Sequence, residues 1–144
     1  MSSTTTSTTT QPLTVDVLKE RARLAMTTLC NDRSELPNFP ITRSLAHPLS
    51  KMQHDDYPPF DNLDAYLSFY SGHLKENPSF HCDVHDVVAE LVAGGKGGGK
   101  AWVFSTITGW QEGVGAKESV DMMVFDQDGM LLSNKDVQRP TNKV

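Results

Sequence analysis

The chain has 144 residues, enough for one domain with one core, and its formal net charge of −5 comes with lysines and arginines that are scattered. A nucleic-acid binder needs a basic cluster to neutralise phosphates, so nucleic acid is excluded as a partner. No apolar run approaches the roughly eighteen residues that span a bilayer, and the N-terminus lacks the basic-then-apolar pattern of a signal peptide, so the expectation is a cytoplasmic protein with no membrane partner.

Residues 1–12 are Ser/Thr repeats with too little apolar surface to offset ordering entropy, and they read as a disordered tail ahead of a folded domain over 13–139 and a short tail over 140–144. Val15, Leu18, Ala22, Ala25 and Leu29 recur at helical spacing behind Thr14, which predicts an amphipathic helix over 15–30 capped by that threonine. Residues 31–60 hold five of the eight prolines and are expected to form an irregular segment with short helical turns. Asp61 and Asp64 are the expected cap pair of a second helix. Its stripe is Leu63, Tyr66, Leu67, Tyr70 and Leu74, and Asn77-Pro78 stops it. Cys30 and Cys82 are expected as free thiols, because two cysteines make no disulfide framework.

After Pro78 the texture changes to strands over 80–92, 101–110, 117–126 and 130–138, rich in Val, Phe, Ile, Trp and Thr and separated by glycine-bearing turns. Helices first and an antiparallel meander after them give an α+β fold. Gly94 to Lys100 matches the first seven positions of a phosphate loop. Ala101 stands where Ser or Thr would hold magnesium, however, and a strand follows instead of a helix N-terminus, so a flexible hairpin loop is the reading. His81, Asp83 and His85 alternate along one strand face and could present three metal ligands. The opposite face (Phe80, Cys82, Val84, Val88) reads as core, so the trio is expected at the rim or in water and no metal site is assigned.

Asp121 is the sharper signal. It shares a face with Met123 and Phe125 while Val120, Met122 and Val124 occupy the other, which predicts a strand covered on both sides, with the acid in a cavity or paired. Desolvation would raise its pKa toward neutrality, where a carboxylate can give and take protons; a merely hydrogen-bonded acid is the competing reading. Glu118 lies on the other pleat face, so both acids point inward only across a bulge. His54, Asp55 and Tyr57 could close a pocket mouth and supply a proton donor or orienting hydrogen bond, or form a plain surface loop. Trp102, Phe104, Thr106, Thr108 and Trp110 share one strand face, either as pocket wall for a ring-shaped ligand or as plain core.

In order, helix, proline-broken segment, helix and four strands resemble the SnoaL-like branch of the NTF2-like superfamily. Residues 80–90 resemble the family's first long strand, Thr106-Ile107-Thr108-Gly109 the end of its second, and Val120 to Gly129 its strand that ends in an Asp-Gly turn. Residues 58–67 are similar to the stretch before the second helix in fungal members that act on polyketides and meroterpenoids. This resemblance implies a cone-shaped fold enclosing a pocket, a homodimer through the sheet, no metal or organic cofactor, and cyclisation, isomerisation or dehydration of a small hydrophobic substrate in secondary metabolism. It assigns Asp121 as acid/base and matches Glu118 to an acid of fungal members, and His54 and Tyr57 of the proline-rich segment are the further catalytic candidates. Trp102, Phe104, Thr106, Trp110, Met123, Tyr66 and Tyr70 are the candidate substrate contacts. A non-catalytic module that binds a hydrophobic ligand or a protein remains the alternative.

Overall fold

A computed structural model describes residues 12–141, apart from 112 and 114. The expected N-terminal tail therefore lies, but for Pro12, outside the described residues, as do 142–144. Helix α1 (Val15–Asn31) starts where Thr14 accepts the Val17 N–H at 3.1 Å, and it buries Leu18, Ala22, Ala25, Met26 and Leu29. Helix α3 (Leu63–Glu76) is capped by Asn62, which accepts the Ala65 N–H at 2.9 Å. The expected cap acids do other things: Asp64 reaches out to Arg43 at 2.5 Å, and Asp61 is exposed.

Residues 31–60 are more ordered than their prolines suggest. A short helix α2 (Pro40–Leu45) begins against the buried Glu35 carboxylate, which accepts the Ile41 and Thr42 N–H groups at 2.9 and 3.0 Å. Strand β1 (Ala46–His54) follows, a strand the sequence reading missed. Pro48 falls within the stretch between Ala46 and Lys51 where the pairing register shifts, and the strand is an edge strand, so the missing N–H costs no ladder bond.

The other strands are β2 (His81–Leu91), β3 (Gly99–Thr108), β4 (Lys117–Phe125) and β5 (Leu131–Pro140). The sheet order is β1-β5-β4-β3-β2; β1 runs parallel to β5 and all other pairs are antiparallel. The meander is thus as expected, with a fifth strand added at its far side. The core lies between α1, α3 and the inner sheet face, where Ala101, Val103, Ile107, Met123, Phe125 and Leu131 are buried. Asn31 closes the free edge of β2, exchanging 2.8 Å hydrogen bonds with the N–H and C=O of Cys82. Both cysteines are free and buried.

Two strands differ in detail from their expected faces. A register shift between Val84 and Asp86 reverses the alternation of β2, so Val87 enters the core and Val88 is 47% exposed. On β3 the buried residues are Ala101, Val103, Ser105 and Ile107, which turns Trp102, Phe104, Thr106 and Thr108 to the outer face. Val120, Met122 and Val124 lie on that outer face too and stay partly accessible, so β4 is covered on one side only within a single chain. The glycine segment forms the β2–β3 hairpin, with the Val92 N–H bonded to Gly98 O. Gly98 has φ 78°, and a Cβ there would sit 2.0 Å from Phe125 O, so backbone packing accounts for this glycine. Among the described residues no helix is long and apolar enough to cross a membrane.

Candidate active site

Three neighbouring strands bring three titratable side chains into one row. Asp121 on β4 stands opposite Asp136 on β5, and Asp136 stands beside His54 on β1. Like charges directly opposite each other across a ladder are unfavourable, so this pairing is a cost that packing alone would not retain.

Asp121 is 3% exposed. Its Oδ1 accepts from Ser119 Oγ at 3.1 Å and its Oδ2 from Asn134 Nδ2 at 2.8 Å. Burial, and then the charge of Asp136, push its pKa up to about 7 against the lowering effect of those two hydrogen bonds. At neutral pH the carboxyl therefore holds and releases a proton with little bias. His54 goes the complementary way: its Nδ1 lies 2.7 Å from Asp136 Oδ1, and this bond raises the imidazole pKa although burial opposes it. Asp136 Oδ1 also accepts the Asp55 N–H at 3.0 Å, and Asp55 Oδ1 accepts the Gln138 N–H at 2.9 Å. With Nδ1 committed, the free nitrogen of His54 is Nε2, 3.8 Å from Asp55 Oδ2.

These groups line an inner cavity of about 40 Å³ together with Asn134, Gln138, Cys30, Tyr66, Tyr70 and Trp110. That volume takes one functional group of a ligand rather than a whole molecule. It shares His54, Phe69 and Trp110 with an adjoining vestibule of about 430 Å³, whose walls also include Asp55, Tyr57, Pro58, Phe60 and Lys117. Asn134 Oδ1 and Gln138 Oε1 are buried without a hydrogen-bond partner, leaving two acceptors free for a ligand's O–H groups.

Trp110 reaches this site because β3 ends at Thr108 and Gly109 turns with φ 72°, which breaks the strand alternation that would have sent the indole outward. The indole lies 5.6 Å from the His54 ring and 4.1 Å from His73. Burial, with Arg33 adding to it, drives His73 down to about 4, so it is a neutral spacer. Burial pushes the Tyr66 and Tyr70 phenols well above their usual range, and Tyr70 Oη lies 3.3 Å from Cys30 Sγ.

Of the residues expected from sequence, Asp121, His54, Tyr66, Tyr70 and Trp110 come together here. Tyr57 is 64% exposed at the mouth, stacked on His54 at 5.7 Å and away from Asp121. Glu118 lies on the outer face, paired with Arg139 at 2.8 Å, because strand alternation separates it from Asp121. Trp102, Phe104 and Thr106 also lie outside the cavity, turned outward by the same alternation on β3, and Met123 points inward but is packed in the core. The sequence reading missed Asn134, Asp136 and Gln138, which alternate along β5. The signal was there: folding the β4–β5 hairpin back from its Asp-Gly turn lays that alternating set against Asp121.

His54, Asp55 and Asp136 offer ligand atoms within 4.8 Å of one another. Nδ1 of His54 and Oδ1 of both acids are already engaged in hydrogen bonds, so the group fits a held proton donor better than a metal cage. His81, Asp83 and His85 are exposed on the far face, where His85 Nε2 meets Thr106 Oγ1.

The chain is 33% identical over 126 residues to the probable cyclase otaY of Aspergillus carbonarius, a match covering 88% of this chain and 92% of that one. A protein named as a SnoaL-like polyketide cyclase, from Jannaschia sp. CCS1, has a similar structure, with TM-score 0.65 and 13% identity over 89% of this chain and 90% of the other. So does a steroid delta-isomerase from Pseudomonas aeruginosa, with TM-score 0.56 and 20% identity over 88% and 79%. No family model matches the chain. With a relative this similar along nearly its whole length, and helices packed on the same curved sheet around a carboxylate-bearing cavity, the chain belongs to the SnoaL-like branch of the NTF2-like superfamily.

Proposed function

We propose that this protein is a cofactor-independent acid/base enzyme that cyclises or isomerises a polyketide-type small molecule in secondary metabolism, with Asp121 as the group that moves the proton. The observation that carries this reading is the buried Asp121 carboxyl lining a cavity in one row with the His54–Asp136 pair. A plain binding module gains nothing from opposing two acids there. The cyclase name of the fungal relative supports the reaction class.

In the proposed step, the Asp121 carboxylate removes a proton from a carbon next to a carbonyl. Protonated His54 donates a hydrogen bond from Nε2 to that carbonyl oxygen, where the enolate charge collects. The enolate carbon then bonds to a second carbonyl carbon of the same molecule. Asp121 returns its proton to the alkoxide so formed, which leaves the enzyme unchanged. Loss of water from the product would need no further group, and isomerisation follows if the proton returns to a different carbon.

The test is to incubate the protein with a panel of aromatic poly-β-ketones in deuterated water, following ring closure by mass spectrometry and exchange of the α-proton by NMR. Asp121→Asn is expected to slow both by about a thousandfold with the fold intact. Wild-type rates in that variant would sink the assignment. We also propose that two copies pair through the outer sheet face, where Phe104, Met122 and Val137 are accessible.

A further inference from the structure

We infer that the vestibule is a specificity subsite for a planar aromatic substrate carrying an anionic group, which Lys117 anchors while the reacting carbonyl enters the inner cavity. The inference rests on the inner cavity being the place of proton transfer, and it adds what lies at the other end of the substrate.

Four observations carry it. Strand alternation puts Lys117, Ser119 and Asp121 on one face of β4, with Asp121 on the inner cavity and Lys117 on the vestibule. At about 3.4 Å per residue their Cα atoms are roughly 14 Å apart, a gap that a fused bicycle spans once the two side chains reach toward each other. The vestibule is lined by Asp55 and His54 on one part of its wall, and the rest is flat and apolar: Phe60, Phe69 and Trp110 make slots for a ring rather than for a flexible chain. Lys117 Nζ lies 5.2 Å from the centre of the Trp110 ring, which aims its charge along the edge of that slot.

The charges divide consistently. His54 takes up Asp136 and lies near Asp55, whereas Lys117 is in no ion pair among the described residues. It is thus the cation of the vestibule that remains available to a ligand. A carboxylate or ionised phenol at the rim would meet it, and the Lys117 charge, which opposes protonation of His54, would be compensated on binding.

The test uses 2-naphthoate and its neutral isostere 2-naphthamide, titrated into the ¹⁵N-labelled full chain at fixed ionic strength. The two indole N–H signals report position: Trp110 lines the vestibule and Trp102, on the opposite face, is the internal reference. Wild type is expected to bind the acid about fivefold more tightly than the amide, with Trp110 shifting and Trp102 still. Lys117→Gln should bring the acid to parity and leave the amide unchanged, while Lys117→Arg keeps the preference. Equal affinities in wild type, a preference that survives Lys117→Gln, or shifts at Trp102 alone would each overturn the inference. Asp121→Asn is expected to retain the preference for the acid. Unchanged turnover in that variant would therefore defeat the proton-transfer reading without touching this one, and loss of the preference in Lys117→Gln would stand by itself.

Discussion

His54 Nδ1 and Asp136 Oδ1 lie 2.7 Å apart although 82 positions separate them, because β1 runs parallel to β5 with these two residues in register. The pairing holds one imidazole nitrogen and leaves the other, Nε2, 3.8 Å from Asp55 Oδ2. Asp136 in turn stands opposite Asp121, so a single carboxylate tunes both partners of the proposed proton transfer.

Removing that charge should move both groups in one direction. Asp136 raises the pKa of His54 and that of Asp121, so Asp136→Asn, which keeps an acceptor for His54, is expected to lower both. NMR titration of the His54 ring and the Asp121 carboxyl carbon reads this directly. If the His54 pKa stays put while that of Asp121 falls, the hydrogen bond is not what holds the imidazolium.

The buried acid also makes stability depend on pH. Its folded pKa of about 7 exceeds the ordinary 3.8, so the native state holds the proton more tightly than the unfolded chain does. Stability is therefore lost as pH rises from 4 to 7. Asp121→Asn should be more stable than wild type above pH 7, on the order of 4 kcal/mol at most, with the two converging near pH 4. Urea unfolding across this range is the measurement, and a wild type that gains on the variant as pH rises would contradict the assignment.

Gly109 is expected to be irreplaceable for both fold and site. Its φ is 72° and a Cβ would fall 2.1 Å from Ser79 O, so Gly109→Ala should cost about 2 kcal/mol or more. It should also change the Trp110 fluorescence, because the turn at Gly109 is what swings that indole into the cavity. A variant as stable as wild type would mean that the turn relaxes without cost.

Pairing through the outer face predicts that Phe104→Asp yields a monomer where wild type is a dimer by light scattering. Phe104 is 39% exposed and outside the core, so the variant should unfold at nearly the wild-type temperature. An unchanged mass would remove the outer face as the interface.

The local signals in the chain were strong where they depended on neighbours in sequence. Helical spacing marked α1 and α3, period-two texture marked the meander, and the Asp-Gly turn fixed one hairpin. Asp121 stood out because an acid among Val, Met and Phe must be accounted for wherever the strand lies. Strand β1 escaped notice because Pro48 signals a breaker, while an edge strand with a shifted register accepts it. The face of β2 was misjudged because a bulge at Val84/Asp86 shifts the alternation by one; on β3 the alternation is regular, with small residues and aliphatics inside and the aromatics outside, and only Trp110 changes side, at the Gly109 turn.

By itself the sequence determined the α+β class, the strand that carries the buried acid, and the resemblance to cavity-forming relatives. Tertiary structure decided who stands beside Asp121. Which strand lies next to which, and in what register, is set by long-range pairing that no local pattern encodes. His54 therefore joined Asp136 and Asp121 only when β1 closed alongside β5, a pairing across 82 positions.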